Sequence, residues 1–366
     1  MEVFRCPLCG WATDPAPGVP TCPTCRVPLR WEKPVSAFER VGTERGVWRY
    51  RALLPAVEPV TLGEGGTPLL RAENPWALEL WWKLEFLNPT GSFKDRGAAV
   101  VVAALRAFGA GILVDDSSGN AGAALAAYCA RAGLRAQLFV PAYASGPKLR
   151  QIEAYGAELV RVPGPRPAAT QAAQRACQAD PARVYASHNA SPYFLAGLMT
   201  LAFELAEDLG GRAPDHVVVP LGGGGLFLAL VYGFELLVRL GRWARAPRVH
   251  LAQAEACAPI VRALEQGLLG PAPVAAGDTV AEGVRIPAPE RGREILAAAR
   301  RAGSVGVAVS DGEILAAREA LARQGLYVEP TAAVAPAALA KLVAAGVIRP
   351  GESVVVPLTG SGLKSA

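Results

Sequence analysis

Lysine is scarce in this 366-residue chain: of 37 basic residues, 31 are Arg and only six are Lys. Arg stays protonated and forms no imine, so amine chemistry is confined to Lys33, Lys83, Lys94, Lys148, Lys341 and Lys364. Histidine is scarcer. With only His188, His216 and His250, and no HExxH or Ser-His-Asp grouping, a zinc-protease site and a serine-hydrolase triad are excluded. Charge is sparse as well, 19% of residues, with a net +5 and no basic block, which supports neither a nucleic-acid groove nor a polybasic membrane anchor. Small anionic molecules remain as partners. An uninterrupted apolar span is also missing. Residues 217–234 carry no charge, but Pro220 and the glycines at 222–225 break the stretch into a strand, a tight loop and a helix start. The opening MEVFRCPLCG puts charge and cysteine where a signal peptide needs an apolar core, so the expected compartment is the cytoplasm. At 51% hydrophobic, a chain of this length excludes disorder and holds about two domains with sizeable cores.

What is present begins with cysteine. Four of the seven lie in the first 25 residues, as Cys6-Pro-Leu-Cys9 and Cys22-Pro-Thr-Cys25. Two CxxC pairs twelve residues apart fit four thiolates on a tetrahedral, closed and therefore structural zinc ion. A knuckle that no longer holds metal, or a redox pair, is the alternative. Cys129, Cys177 and Cys257 read as core thiols. Residues 26–60, rich in Pro, Trp and Arg, read as a linking arm.

From about residue 80, short β-rich runs alternate with alanine-rich helical stretches, which predicts an α/β fold with parallel sheets and ligands beyond the carboxyl ends of the strands. Four such strand ends carry chemistry. After Glu79 to Phe86 comes Asn88-Pro-Thr-Gly-Ser-Phe93-Lys94-Asp95; Ser92 and Asp95 read as a capping-box start, placing Lys94 in a first helical turn. There the helix dipole opposes a cation by roughly 0.3–1 kcal/mol and favours a neutral, nucleophilic amine of the kind that forms imines with carbonyl compounds; a solvated lysine offset by Asp95 is the competing reading. After Ile112 to Asp115 comes Ser117-Ser118-Gly119-Asn120, equally an N-cap turn or a loop of donors for an anion or a phenolic oxygen. After Val217 to Pro220, Gly222, Gly223, Gly224 and Gly225 open a helix and can turn several N–H groups onto one phosphate; neither the Walker nor the dinucleotide spacing is met. After Val354 to Pro357, Thr359 sets a hydroxyl at a strand end. A poised lysine, an amide-bearing loop, a phosphate cradle and a hydroxyl are what pyridoxal phosphate binding requires.

Over residues 60–366 the chain resembles the fold-type II pyridoxal phosphate enzymes, and among them the threonine synthases. The resemblance is carried by GEGGTPLL at 63–70, KLEFLNPTGSFKDRG at 83–97, SSGNAG at 117–122, SPYFLAGLMTLAFELAEDLG at 191–210, GGGGL at 222–226, EPTAA at 329–333 and LTGSGLK at 358–364. It implies a two-domain, tryptophan synthase β-like architecture with a zinc-ribbon-like module at 1–32, a large cofactor-binding domain from 33–97 and 196–366, and a small domain at 98–195. It further implies a homodimer, a Schiff base on Lys94 with Phe93 near the ring, cofactor phosphate on Gly222 to Gly225, Asn120 on the phenolic oxygen and Thr359 facing the pyridine nitrogen. Ser117, Ser118, Gly119 and Asn189 would receive the substrate. A neutral hydroxyl opposite that nitrogen makes a milder electron sink, suited to elimination and replacement. The implied reaction frees Lys94 as a base on the α-carbon of O-phospho-L-homoserine, expels phosphate from the γ-carbon, and adds water at the β-carbon to give L-threonine. A threonine or serine dehydratase is the alternative, and a non-catalytic scaffold a further one.

The chain departs from the family pattern where the substrate phosphate should bind. The segment matching Asn189 to Thr200 typically reads like NPYRLEGQKT, and here it is Asn189-Ala-Ser-Pro-Tyr-Phe194-Leu-Ala196-Gly-Leu198-Met199-Thr200; Ala121 stands where a threonine is common, and the glycine loop is dehydratase-like. Each charge-assisted hydrogen bond to a phosphate that is missing here would be worth roughly 1.5–3 kcal/mol. Asn189, His188, Lys148 and Arg150 remain as polar groups that could contact a phosphate or simply face solvent.

Overall fold

The computed structural model describes residues 1–144 and 146–365. It holds three sheets. Ala12–Thr13, Val3–Arg5 and Arg30–Glu32 form a small antiparallel sheet in that order. A four-stranded parallel sheet runs Glu158–Val162, Arg135–Pro141, Ile112–Asp115, Arg183–Tyr185. A six-stranded sheet runs Gly306–Val309, Arg248–Ala254, His216–Pro220, Ser353–Pro357, Glu79–Lys83, Leu69–Arg71, all parallel except the last strand. The α/β expectation holds. Strands such as His216–Pro220 and Ser353–Pro357 are buried throughout, as parallel strands covered by helices on both faces must be. No helix among the described residues is long and apolar enough to cross a membrane.

The chain divides into two compact units, one comprising 1–66, 88–200 and 364–366, the other 67–87 and 201–363. These boundaries differ from the expected 1–32, 33–97 with 196–366, and 98–195. The helix Lys94–Ala107 packs on the helix Asn120–Ala132 and so joins the four-stranded sheet's unit. The expected arm also belongs to that unit and is not a loose linker. It folds into a 3-10 helix, Gly46–Leu53, with Trp48 and Tyr50 buried; Arg106 donates to its Glu58 carbonyl at 3.1 Å, and just beyond it Tyr128 donates to Glu64 at 2.8 Å and Arg131 to the Thr61 carbonyl at 3.1 Å.

In the second unit, two histidines on neighbouring strands form a buried relay. The Val305 N–H donates to His250 Nδ1 at 3.1 Å, His250 Nε2 lies 2.9 Å from His216 Nδ1, and His216 Nε2 lies 3.1 Å from Glu352. Each nitrogen is satisfied with both rings neutral. Burial lowers the pKa of His216, and burial with the facing His216 pulls His250 down to about 3. A histidine whose folded pKa lies below its unfolded value near 6.5 stabilises the fold fully above that value, and its contribution is lost as pH falls toward the folded pKa, by about 1.4 kcal/mol per unit. The urea midpoint is therefore expected to fall between pH 7 and pH 4, and to fall less in His250→Gln. An equally steep fall in that variant would refute the assignment.

Candidate active site

In the first unit, the loop before Lys94 is held from several sides. Gly65 N donates to Asn88 Oδ1 at 2.9 Å, and the Thr90 carbonyl accepts from Lys364 Nζ at 2.6 Å and Gln151 Nε2 at 3.1 Å. Gly91 takes φ +84°, a left-handed turn that suits glycine. The helix starts at Lys94 with Phe93 as N-cap and no side-chain cap. The expected Ser92–Asp95 capping box does not form, because the helix begins one residue too late for Ser92 to be the cap. Asp95 instead accepts from Thr90 N at 3.1 Å and Thr90 Oγ1 at 2.8 Å, and burial pushes its carboxyl up to about 6 despite those donors. Ser92 Oγ is left buried with no hydrogen bond, a hydroxyl next in sequence but one to the lysine where a cap is expected. Lys94 occupies the first turn as expected, its Nζ 4.7 Å from the centre of the Phe93 ring and 5.7 Å from that of Phe194.

Phe194 explains the altered segment. The helix Pro192–Asp208 crosses the lysine helix so closely that a methyl on Gly97 would lie 2.4 Å from the Phe194 ring, and one on Gly197 would lie 2.2 Å from the Arg96 carbonyl oxygen. Phe194, Ala196 and Leu198 are all buried. Charged side chains at these three positions would be desolvated, and Phe194 itself lies against the lysine helix.

The second strand end of this unit has the expected layout. Ile112–Asp115 leads into Ser117, Ser118 and Gly119, and Asn120 opens the next helix with Gly119 as N-cap. A methyl on Gly122 would meet the Ser117 carbonyl oxygen at 2.1 Å, so this glycine lets the helix start against the loop. Beside it, Asp115 and Asp116 are buried with different partners. Burial raises the Asp115 pKa, and His188 opposes the rise. Burial acts on Asp116 too, but Arg166 at 2.8 Å, His188 and the Thr170 hydroxyl hold its carboxyl well below the usual range. His188 and Asn189 follow the adjacent strand, Arg183–Tyr185.

In the second unit, Gly222 to Gly225 lead from strand His216–Pro220 into helix Gly225–Arg239. Gly224 has φ +85°, and a methyl there would lie 2.2 Å from Ile295 Cδ1; one on Gly222 would lie 2.6 Å from the Gly283 carbonyl oxygen. Only bare backbone fits, and its N–H groups stand at a helix N-terminus, a cradle for a phosphate. Thr359 follows strand Ser353–Pro357 with 2% of its surface exposed, and its Oγ1 makes no hydrogen bond. A buried hydroxyl without a partner costs about 1–3 kcal/mol, so it suits a ligand atom such as a ring nitrogen. Both observations fit pyridoxal phosphate.

In the N-terminal module, the ligand atoms of Cys6, Cys9, Cys22 and Cys25 lie within 4.8 Å of one another, with Cys9 and Cys22 Sγ 3.6 Å apart. Tetrahedral Zn–S bonds of about 2.3 Å imply S···S separations near ~3.8 Å. The two CxxC turns are built alike: Gly10 N donates to the Cys6 carbonyl and Arg26 N to the Cys22 carbonyl, with both Gly10 and Arg26 at positive φ. Burial opposes ionisation of Cys22, yet amide donors from Cys25 and Thr24 bring it down to about 7, while Cys9 and burial push Cys25 up to about 12.

The chain is similar to known proteins over most of its length. A profile described as "Pyridoxal-phosphate dependent enzyme" matches residues 60–360. The threonine synthase of Methanosarcina acetivorans is 39% identical over 336 residues, covering 89% of this chain and 82% of that protein; that of Halalkalibacterium halodurans is 38% identical over 325 residues, covering 86% and 88%. Among solved structures, the T.th. threonine deaminase superposes with a TM-score of 0.70 at 28% identity, covering 86% of this chain and 96% of that one.

Proposed function

Because this chain belongs to the pyridoxal-phosphate dependent enzyme family, we propose that it is a threonine synthase, converting O-phospho-L-homoserine and water into L-threonine and inorganic phosphate. The observation that carries this reading is the match to threonine synthases over nearly nine-tenths of the chain at 39% identity. Bound pyridoxal phosphate would supply an electron sink for a carbanion next to the substrate amino group. The residues divide the remaining work. Lys94 holds the cofactor and then moves protons at the substrate's α- and β-carbons, from the first turn of its helix. The backbone N–H groups of Gly222, Gly223, Gly224 and Gly225 receive the cofactor phosphate, Asn120 its phenolic oxygen and Thr359 its ring nitrogen, while Phe93 packs beside the ring. The Ser117 and Ser118 hydroxyls and the Gly119 amide take the substrate carboxylate, with Asn189 as a further substrate contact.

Phosphate and threonine formed together from O-phospho-L-homoserine by the purified holoenzyme is the expected result. The buried apolar residues Phe194, Ala196 and Leu198, standing where the family pattern has charged or polar ones, favour a second reading, a threonine or serine dehydratase. Release of 2-oxobutanoate from threonine, with no phosphate from O-phospho-L-homoserine, would replace the first reading by the second.

The N-terminal module is read as holding one structural zinc ion, the enzyme as a homodimer, and its compartment as the reducing cytoplasm that thiolate ligands require. Metal analysis is expected to find one zinc per chain in the native protein and none in Cys22→Ser/Cys25→Ser. A metal-free native protein with the module intact would remove the assignment. Sedimentation is expected to give twice the chain mass of 38.1 kDa.

A further inference from the structure

We propose that His188, locked by Asp115, receives the distal anionic group of the substrate, in place of the charged side chains that the segment 194–199 lacks. The inference rests on the threonine synthase reading and adds to it the residue that sets preference for a phosphorylated substrate.

Strands Ile112–Asp115 and Arg183–Tyr185 are parallel neighbours, and Ala186 N donates to the Val114 carbonyl at 2.7 Å. The chain therefore leaves the sheet at two adjacent points on the same edge. One exit carries Ser117 to Gly119, the carboxylate-receiving loop, and the other carries His188. One amino-acid ligand can then meet a receptor at each end.

The imidazole is fixed from two directions. His188 Nδ1 lies 2.9 Å from Asp115 Oδ2 and 3.2 Å from Oδ1. The ring stands edge-on to Phe194 with centroids 6.3 Å apart, and the same Phe194 ring carries Lys94 Nζ at 5.7 Å. Imidazole and reactive amine thus flank one aromatic ring. With Nδ1 committed to Asp115, Nε2 is the ring's remaining polar atom, and it makes no hydrogen bond among the described residues. With the Asp115 carboxylate behind the ring, the Nε2 edge is the one turned to a phosphate oxygen. The neighbouring Asp116 makes its hydrogen bonds elsewhere, to Arg166, Thr170 and Tyr185.

Two substitutions separate the ligand role from a structural one. His188→Asn keeps an amide able to donate to Asp115 but has nothing at the Nε2 position; His188→Gln reaches the Nε2 position but gives up the Asp115 bond. Binding to the holoenzyme is measured by calorimetry for L-2-amino-5-phosphonopentanoate, a phosphonate analogue of the substrate, and for L-2-aminopentanoate, which lacks the anion. His188→Asn is expected to bind the phosphonate at least tenfold more weakly than wild type and the plain amino acid unchanged, with His188→Gln recovering part of the affinity. Undiminished phosphonate binding in His188→Asn, equal weakening of both ligands, or a wild type that does not prefer the phosphonate would each overturn the proposal. The outcome separates from that of the overall reading. A wild type that binds the phosphonate through His188 but liberates no phosphate from O-phospho-L-homoserine sinks the threonine synthase reading alone, whereas full kcat/KM on that substrate in His188→Asn sinks the His188 assignment alone.

Discussion

Lys94→Ala is expected to lower kcat by about a thousandfold or more, the scale set by removing a group that both anchors the cofactor and moves protons. Lys94→Arg is expected to be as inactive. Arg restores the positive charge over the Phe93 and Phe194 rings, but it cannot form an imine or give up its proton, so this variant separates charge from chemistry. Borohydride reduction of the wild-type holoenzyme should fix one cofactor mass on the peptide containing Lys94, and on none in either variant. Non-covalent cofactor binding should persist, because the glycine cradle and Thr359 do not depend on the lysine side chain. The fold should persist too, since residue 94 begins its helix without a side-chain cap. Turnover retained in Lys94→Arg would mean that another amine carries the reaction.

The strand ends explain how much of the site is legible in the sequence. Glycines at 222–225 and the run Ser117 to Asn120 are local signals: each follows a short apolar run, precedes a helical pattern, and does its work within a few residues. Strand, loop and helix lie where that pattern puts them, with helices at Gly225–Arg239 and Asn120–Ala132. The illegible features depend on partners far away in the chain. Nothing near Gly97 announces that Phe194 fills the space over it, and nothing near His216 announces His250 and Glu352. The grouping of the lysine helix with the four-stranded sheet's unit is of the same kind, since it comes from helix-on-helix packing and not from chain continuity. The Asp115–His188 pair spans 73 residues and becomes visible only once the two strands are seen to be neighbours.

The scarcity of lysine has a second consequence. Lys83, in sequence simply a strand residue, is fully buried, with Nζ 2.5 Å from Glu204 Oε1, 2.6 Å from Asp208 Oδ2 and 2.5 Å from the Thr67 carbonyl oxygen. Glu204 is 1% exposed, and Thr67 Oγ1 also donates to buried Glu85 at 2.6 Å. One compact ammonium with three donors satisfies three acceptors from different directions, a geometry the planar Arg fork does not match. Lys83→Met keeps the approximate volume and removes the charge, taking the Lys83 ammonium away from the buried Glu204 carboxylate. Breaking a buried pair from one side costs about 3–5 kcal/mol, roughly a fifth or more of the ~5–15 kcal/mol that holds a typical domain folded. The expected result is a large fall in the denaturant midpoint or loss of soluble protein. Removing both charges should hurt less, because an apolar replacement of the whole pair is often neutral. Lys83→Met/Glu204→Leu is therefore expected to be more stable than Lys83→Met, with a coupling energy above about 1 kcal/mol by the double-mutant cycle. The damage should reach the site, because Lys83 pairs with Pro357 in the sheet and its carbonyl accepts from Leu358 N at 2.8 Å, one residue before Thr359. Cofactor affinity should fall with stability in Lys83→Met and recover with it in the double variant. Equal stability of Lys83→Met and wild type would show that the cluster contributes nothing and that Glu204 finds another partner.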